Sequence, residues 1–169
     1  MKNIIASILI LLMSGVLCVA CGVGGDDGDY LRIHIRANSN SVEDQNVKYK
    51  VKDSVVEYLT PYITECESFE DVVVMVETHK ESLENVADEV LRSNGFDYVS
   101  NVEIDNEYFP TRCYESFVLS ADYYDAIIIN LGSGQGDNWW CVVYPPLCFK
   151  DTKNVMYKSK IAELIKKYF

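Results

Sequence analysis

Beyond residue 30 the apolar positions of this chain change period three times, and each change predicts a change of element. In "YLRIHIR", Leu31, Ile33 and Ile35 alternate with Tyr30, Arg32, His34 and Arg36. A period of two predicts a half-buried strand with one polar face. After the turn "ANSNS" the spacing becomes helical: Val47, Val51, Val55 and Leu59 recur every four residues, the stripe of an amphipathic helix. Ser41 and Asp44 resemble a capping box with a shorter acid at the helix start, and Pro61 is expected to end or kink the helix. Ser68 with Asp71 and Thr78 with Glu81 repeat the start signal. They predict a short helix over 70–77 and a second over 80–93, with one continuous helix through Thr78 as the alternative. Leu83, Val86, Ala87, Val90 and Leu91 form its inner face, and "SNG" at 93–95 caps its end.

From Gly95 onward the pattern is strand-like again. "DYVSNVEID", "RCYESFVLS", "DAIIINL" and "WWCVVY" are four candidate strands separated by turn-rich pieces. The third is apolar on both faces and is expected in the middle of a sheet. "YPP" stops the fourth, because proline cannot serve an internal ladder. A tail with Ile161, Leu164, Ile165 and Tyr168 reads as a closing helix. Strands grouped late and helices grouped early predict an α+β fold, an antiparallel sheet packed against helices on one side. One domain over 30–169 is expected, without internal repeats.

The first residues carry an address. Lys2 precedes an uncharged, apolar run from Ile4 to Ala20, followed by a Gly-rich acidic stretch. Residues 1–21 therefore read as a signal peptide or an N-terminal membrane anchor, and 22–29 as a flexible linker. Contact with a membrane is expected only through that first segment. Export changes how cysteines are read, since disulfides persist outside the cytosol. Charge narrows the partners: 26 Asp and Glu face 15 Lys and Arg, net −11. With no basic run before the last turn, nucleic acid is not an expected partner.

Candidate chemistry is sparse. "LGSGQGDN" (131–138) lacks the Lys-Ser/Thr of a P-loop and the glycine spacing of a nucleophile elbow, so it reads as a hairpin loop. A zinc site would need tight ligand pairs, and only Cys141 and Cys148 lie close together. A disulfide between them suits the spacing better, closing a loop over "VVYPPL" worth roughly 2–3 kcal/mol in chain entropy; buried free thiols are the alternative. No metal and no cofactor is expected. A hydrolase with Cys141 as nucleophile and His34 as base is conceivable, though no cation or helix start adjoins Cys141 to lower its pKa. Trp139 and Trp140 must point to opposite sides of a strand. One of them is expected to remain on an outer face with Tyr144 or Phe149 nearby, as aromatic anchors for a partner do.

Two separate stretches resemble one family. "LRIHIRANSNSVEDQNVKYKVKDSVVEYLTP" (31–61) and "FPTRCYESFVLSADYYDAIIINLGSGQGDNWWCVVYPPLCF" (109–149) are similar, in this order, to the two signatures of the stage II sporulation protein R family of endospore-forming bacteria. Arg32, His34, Asn38, Asp44, Gln45, Lys48, the glycines at 132, 134 and 136, Trp139, Trp140, Cys141, Pro145, Pro146, Cys148 and Phe149 carry the match; Cys66 and Cys113 look peculiar to this chain. The resemblance implies a signalling protein rather than an enzyme. It would be exported from the forespore into the space between two membranes, where it activates a membrane-embedded aspartic protease, the sigma-E processing peptidase. Its motif does not fix the contact residues. Trp139, Trp140, Pro145, Pro146 and Phe149, with Asn38, Asp44 and Gln45 in the polar turn, are the expected partner surface. For Asn38 and Asp44 the competing role is to hold the turn and cap the helix. A secreted Cys-dependent cell-wall hydrolase is the alternative.

Overall fold

A computed structural model describes residues 28–114 and 117–149. The expected export segment, nearly all of the linker and the closing helix lie outside these residues. The elements are β1 (Leu31–Arg36), α1 (Val42–Ile63), α2 (Phe69–Ser93), β2 (Ser100–Phe109), β3 (Arg112–Tyr114), β4 (Phe117–Leu119), β5 (Asp122–Leu131) and β6 (Asn138–Tyr144). The described residues divide into two compact units, the larger over 29–107 and 124–149 and the smaller over 108–114 and 117–123 with residue 28. In the smaller unit β3 and β4 pair antiparallel, Cys113 opposite Val118. The single strand expected over "RCYESFVLS" is thus a short two-stranded ribbon.

The larger unit is α+β. Its four-stranded sheet runs β2-β5-β1-β6. β1 pairs antiparallel with β6 and parallel with β5, Ile33 standing opposite both Cys141 and Ile127. The apolar third candidate strand, β5, is internal as expected. The parallel β1–β5 pair is the departure from an all-antiparallel sheet. Because β1 lies between β5 and β6, the Gly-rich segment is not a hairpin loop. It crosses over the end of β1, and Gly136 N–H donates to Ala37 O at 2.8 Å.

Leu31, Ile33 and Ile35, with Ile127, Ile129, Leu131 and Val143, meet Val47, Val51, Val55 and Leu59 of α1 and Val76, Leu83, Ala87 and Leu91 of α2 in one core. The half-buried reading of β1 fails, however: Arg32 is 0% and His34 3% exposed, so its polar face is covered too. Glu107 lies against His34 and the Tyr124 ring against Arg32 on that face.

α2 is one helix of 25 residues rather than two. Thr78 Oγ1 donates back to Val74 O at 2.8 Å instead of capping a new start, an arrangement open to Ser and Thr inside helices. The true start is Ser68, whose hydroxyl accepts from Asp71 N–H while Asp71 returns the bond to Ser68 N–H. The expected end is found: Gly95 at φ +83° follows Asn94, with Phe96 N–H to Leu91 O and Gly95 N–H to Arg92 O, a Schellman cap. α1 runs two residues past Pro61, at the loss of the one backbone bond that an N–H there would donate.

Candidate functional site

The two stretches singled out in the sequence meet where β1 gives way to α1. Ser41 caps α1, its hydroxyl accepting from Asp44 N–H at 3.1 Å. The Asp44 side chain does not complete a capping box. Its carboxylate, in a residue 6% exposed, accepts from Ser39 Oγ at 2.5 Å, Asn38 Nδ2 at 3.0 Å and Tyr98 OH at 2.6 Å. Burial acts to raise its pKa, but bonds from Ser39, Tyr98, Asn38 and Ser41 outweigh it and hold the carboxyl below its ordinary range. In return burial, with the bond to Asp44, pushes the Tyr98 hydroxyl up.

From this turn the chain clasps the Gly-rich crossover. Asn38 takes Ser133 N–H on Oδ1 at 2.9 Å and Ser133 Oγ on its carbonyl at 2.7 Å. Asn40 Oδ1 accepts from Asp137 N–H at 2.6 Å. Gln45 Nε2 donates to Ser39 O at 3.0 Å, and Lys48 Nζ donates to Gln45 Oε1 at 2.6 Å and to Asp137 O at 2.9 Å. Lys48, 1% exposed, has its pKa lowered by burial, with Asp137 opposing. Approach this close demands glycine: Gly132 has φ +56°, and a Cβ there would lie 2.5 Å from Asn38 Oδ1. At Gly136 a Cβ would collide with the Ser39 carbonyl.

The clasp delivers the chain into β6. Trp139 stands opposite Ile35 and Trp140 opposite His34, so the two indoles lie on opposite faces as expected. Trp139 packs against the core, with Lys52 Nζ 5.9 Å from its ring centroid. Trp140 is half-buried on the other face, and Asn138, with its amide oxygen turned inward, accepts from Trp140 Nε1 at 3.2 Å. Beyond Tyr144 the half-buried Pro145 and Pro146 turn the chain, and Leu147 N–H donates to Val142 O at 3.3 Å. Cys141 and Cys148 are joined in a disulfide with Cα atoms 6.1 Å apart.

Two expected contact residues are placed differently. Phe149 is 5% exposed and part of the core, so it anchors the loop from below. Asp44 is enclosed by its donors and serves as the holder of the turn. Asn38 and Gln45 also point their amides into the clasp. The partners Tyr98, Ser133 and Asp137 were missed, since nothing local marks them; Lys48, a lysine beside the buried stripe of α1, was the readable sign of a buried polar link.

His34 Nε2 lies 2.6 Å from Glu107 Oε2, and Arg36 pairs with the other oxygen of that carboxylate. Burial first, then Arg36 and Arg32, push the His34 pKa down to about 3, so the ring is neutral at physiological pH. Ile33, not His34, stands opposite Cys141. The Cys141 sulfur therefore sits on the other sheet face, and it is bonded to Cys148. Among the described residues no group of His, Cys, Asp and Glu is arranged to hold a metal ion. No helix among them is long and apolar enough to cross a membrane.

The model of the family described as stage II sporulation protein R matches residues 27–154. A protein of that name from Bacillus subtilis (strain 168) is 36% identical over 124 residues, covering 73% of this chain and 55% of the relative. The chain thus spans little more than half the length of that curated relative. No solved structure matches significantly. A family match over most of the described fold, with both signature stretches joined in one clasp, places the chain in the stage II sporulation protein R family.

Proposed function

We propose that this sporulation-family protein is an exported signal that switches on a membrane-embedded aspartic protease, the sigma-E processing peptidase, which then trims the sigma-E precursor. Family membership supports a role in sporulation. The observation that carries the finer reading is the build of the site. Its polar groups are spent on one another, and its sulfurs on a disulfide. What it offers outward is a rigid, half-buried aromatic and proline surface: Trp140 on the face away from the core, and Pro145 and Pro146 past the end of β6. Such a surface suits binding, because ordering it costs nothing at the moment of contact. Activation follows if it binds the protease's active arrangement more tightly than the inactive one.

The test is reconstitution in a non-sporulating host carrying the precursor, its peptidase and this chain. Precursor cleavage should depend on the chain, and Trp139→Ala with Trp140→Ala should abolish it in a folded, exported variant. Absence of cleavage with the folded, exported wild-type chain and a cognate peptidase would sink the proposal. The hydrolase reading needs a thiolate at Cys141 with an imidazole in reach, and the disulfide and the opposite placement of His34 meet neither need.

A further inference from the structure

The disulfide closes a ring whose ends lie seven positions apart, just where β6 stops. Three things happen in and beside that ring. Pro145 and Pro146 turn the chain back. Leu147 N–H reaches Val142 O, covering part of the edge of β6, the outermost strand on its side of the sheet. Directly after the ring, Phe149 enters the core. The hydrogen bond is long, at 3.3 Å, and two of the ring residues are prolines without an N–H. Covalent closure therefore acts together with the burial of Phe149 in holding the segment. The rest of the core, built from α1, α2 and the sheet, does not pass through the ring.

A third sulfur is packed against the same core. Cys66 is a free, half-buried thiol. Burial, then the carboxylates of Asp71 and Glu65, push its pKa up. Protonated, it is a poor nucleophile toward a disulfide.

We infer that Cys141–Cys148 is a redox gate on the contact surface. The dithiol chain is folded but leaves 145–149 open, and closing the bond fixes Pro145 and Pro146 at the end of β6, next to the strand that carries Trp140. Closure is a two-step exchange. A Cys thiolate displaces one sulfur of an external disulfide, a small-molecule disulfide or that of an exchange catalyst, and the second thiolate then displaces the other. The external disulfide leaves as two thiols, carrying away both electrons and both protons. A chain made in a reducing cytosol is thereby silent until it meets an oxidising compartment. The inference rests on the signalling reading for its purpose but not for its chemistry.

The test is amide hydrogen exchange on the full chain, oxidised and after reduction with dithiothreitol. On reduction the Leu147 amide should exchange at least about tenfold faster, while Val51 and Ala87 in the helices keep their protection. Equal protection of Leu147 in both forms overturns the gate. So does loss of protection throughout, which would make the bond a global staple. In the processing assay, Cys141→Ser with Cys148→Ser should stay folded by the same exchange criterion and lose at least about tenfold of cleavage; full cleavage overturns the gate. An oxidised wild-type chain that gives no cleavage overturns the signalling reading instead, and the exchange result still decides whether the loop opens.

Discussion

At Asp44 one carboxylate satisfies donors from the 38–39 turn and from Tyr98, 54 residues away. Asp44→Ala would strand a tyrosine hydroxyl and an amide in a buried site, at a cost of about 2–4 kcal/mol, read as a lower urea midpoint. Acid should act in the same direction on two residues. Both Asp44 and His34 have folded pKa values below their unfolded ones. Each therefore contributes stability that is present above its unfolded pKa and is lost as pH falls toward the folded one. For His34 that window runs from roughly 6.5 down to about 3, with a slope of at most about 1.4 kcal/mol per pH unit. Urea midpoints from pH 7 to 4 should fall in wild type, and His34→Gln should flatten the part between about pH 6.5 and 4. From the sequence, Asn38, Asp44 and Gln45 of the polar turn were expected contacts, with holding the turn as the competing role for Asn38 and Asp44. What it could not show was their direction. Inward and outward roles differ only by where Ser133 and Asp137 arrive, and that is set by a crossover of nearly a hundred residues.

At the scale of the element, start signals competed with periodicity. A Ser or Thr with an acid three residues on is the same local text at Ser68 and at Thr78. Only the first is preceded by residues that leave the helix. Val72, Val76, Leu83, Ala87 and Leu91 keep one stripe through Thr78 without a break, so the period was the better guide. Ser68→Ala should cost on the order of 1 kcal/mol, whereas Thr78→Ala should change stability by no more than about 0.5 kcal/mol; thermal melts of the two variants compare them directly. β1 erred the other way. Its alternation was real, but alternation reports two chemically different faces rather than one wet face, and an internal strand can bury arginine and histidine when partners such as Glu107 and Tyr124 meet them. Three of the four strand-like runs, the internal place of β5 and the α+β class were legible because each depends on local apolar content, whereas "RCYESFVLS" folds as two short strands.

At the scale of the larger unit, the two edges of the sheet are managed differently. On β2, Asp88 of α2 accepts from Ser100 N–H at 2.6 Å and Glu84 accepts from Val102 N–H at 2.9 Å. Carboxylates thus occupy the donors that another strand would seek. Asp88→Ala with Glu84→Ala should uncover that edge, and light scattering should then show concentration-dependent association that wild type lacks.

The central strand also has a consequence in time. β1 finds its two partners beginning at Asp125 and ending at Tyr144, roughly a hundred residues after it is made. Such distant pairing is slow, because the intervening loop must be ordered before any contact rewards it. Until residue 125 has emerged from the ribosome, the apolar side chains of β1 have no neighbouring strand to join. A fragment ending at residue 121 should accordingly show helix by circular dichroism but no cooperative melt. The wiring that joins the finished sheet leaves the unfinished chain without one.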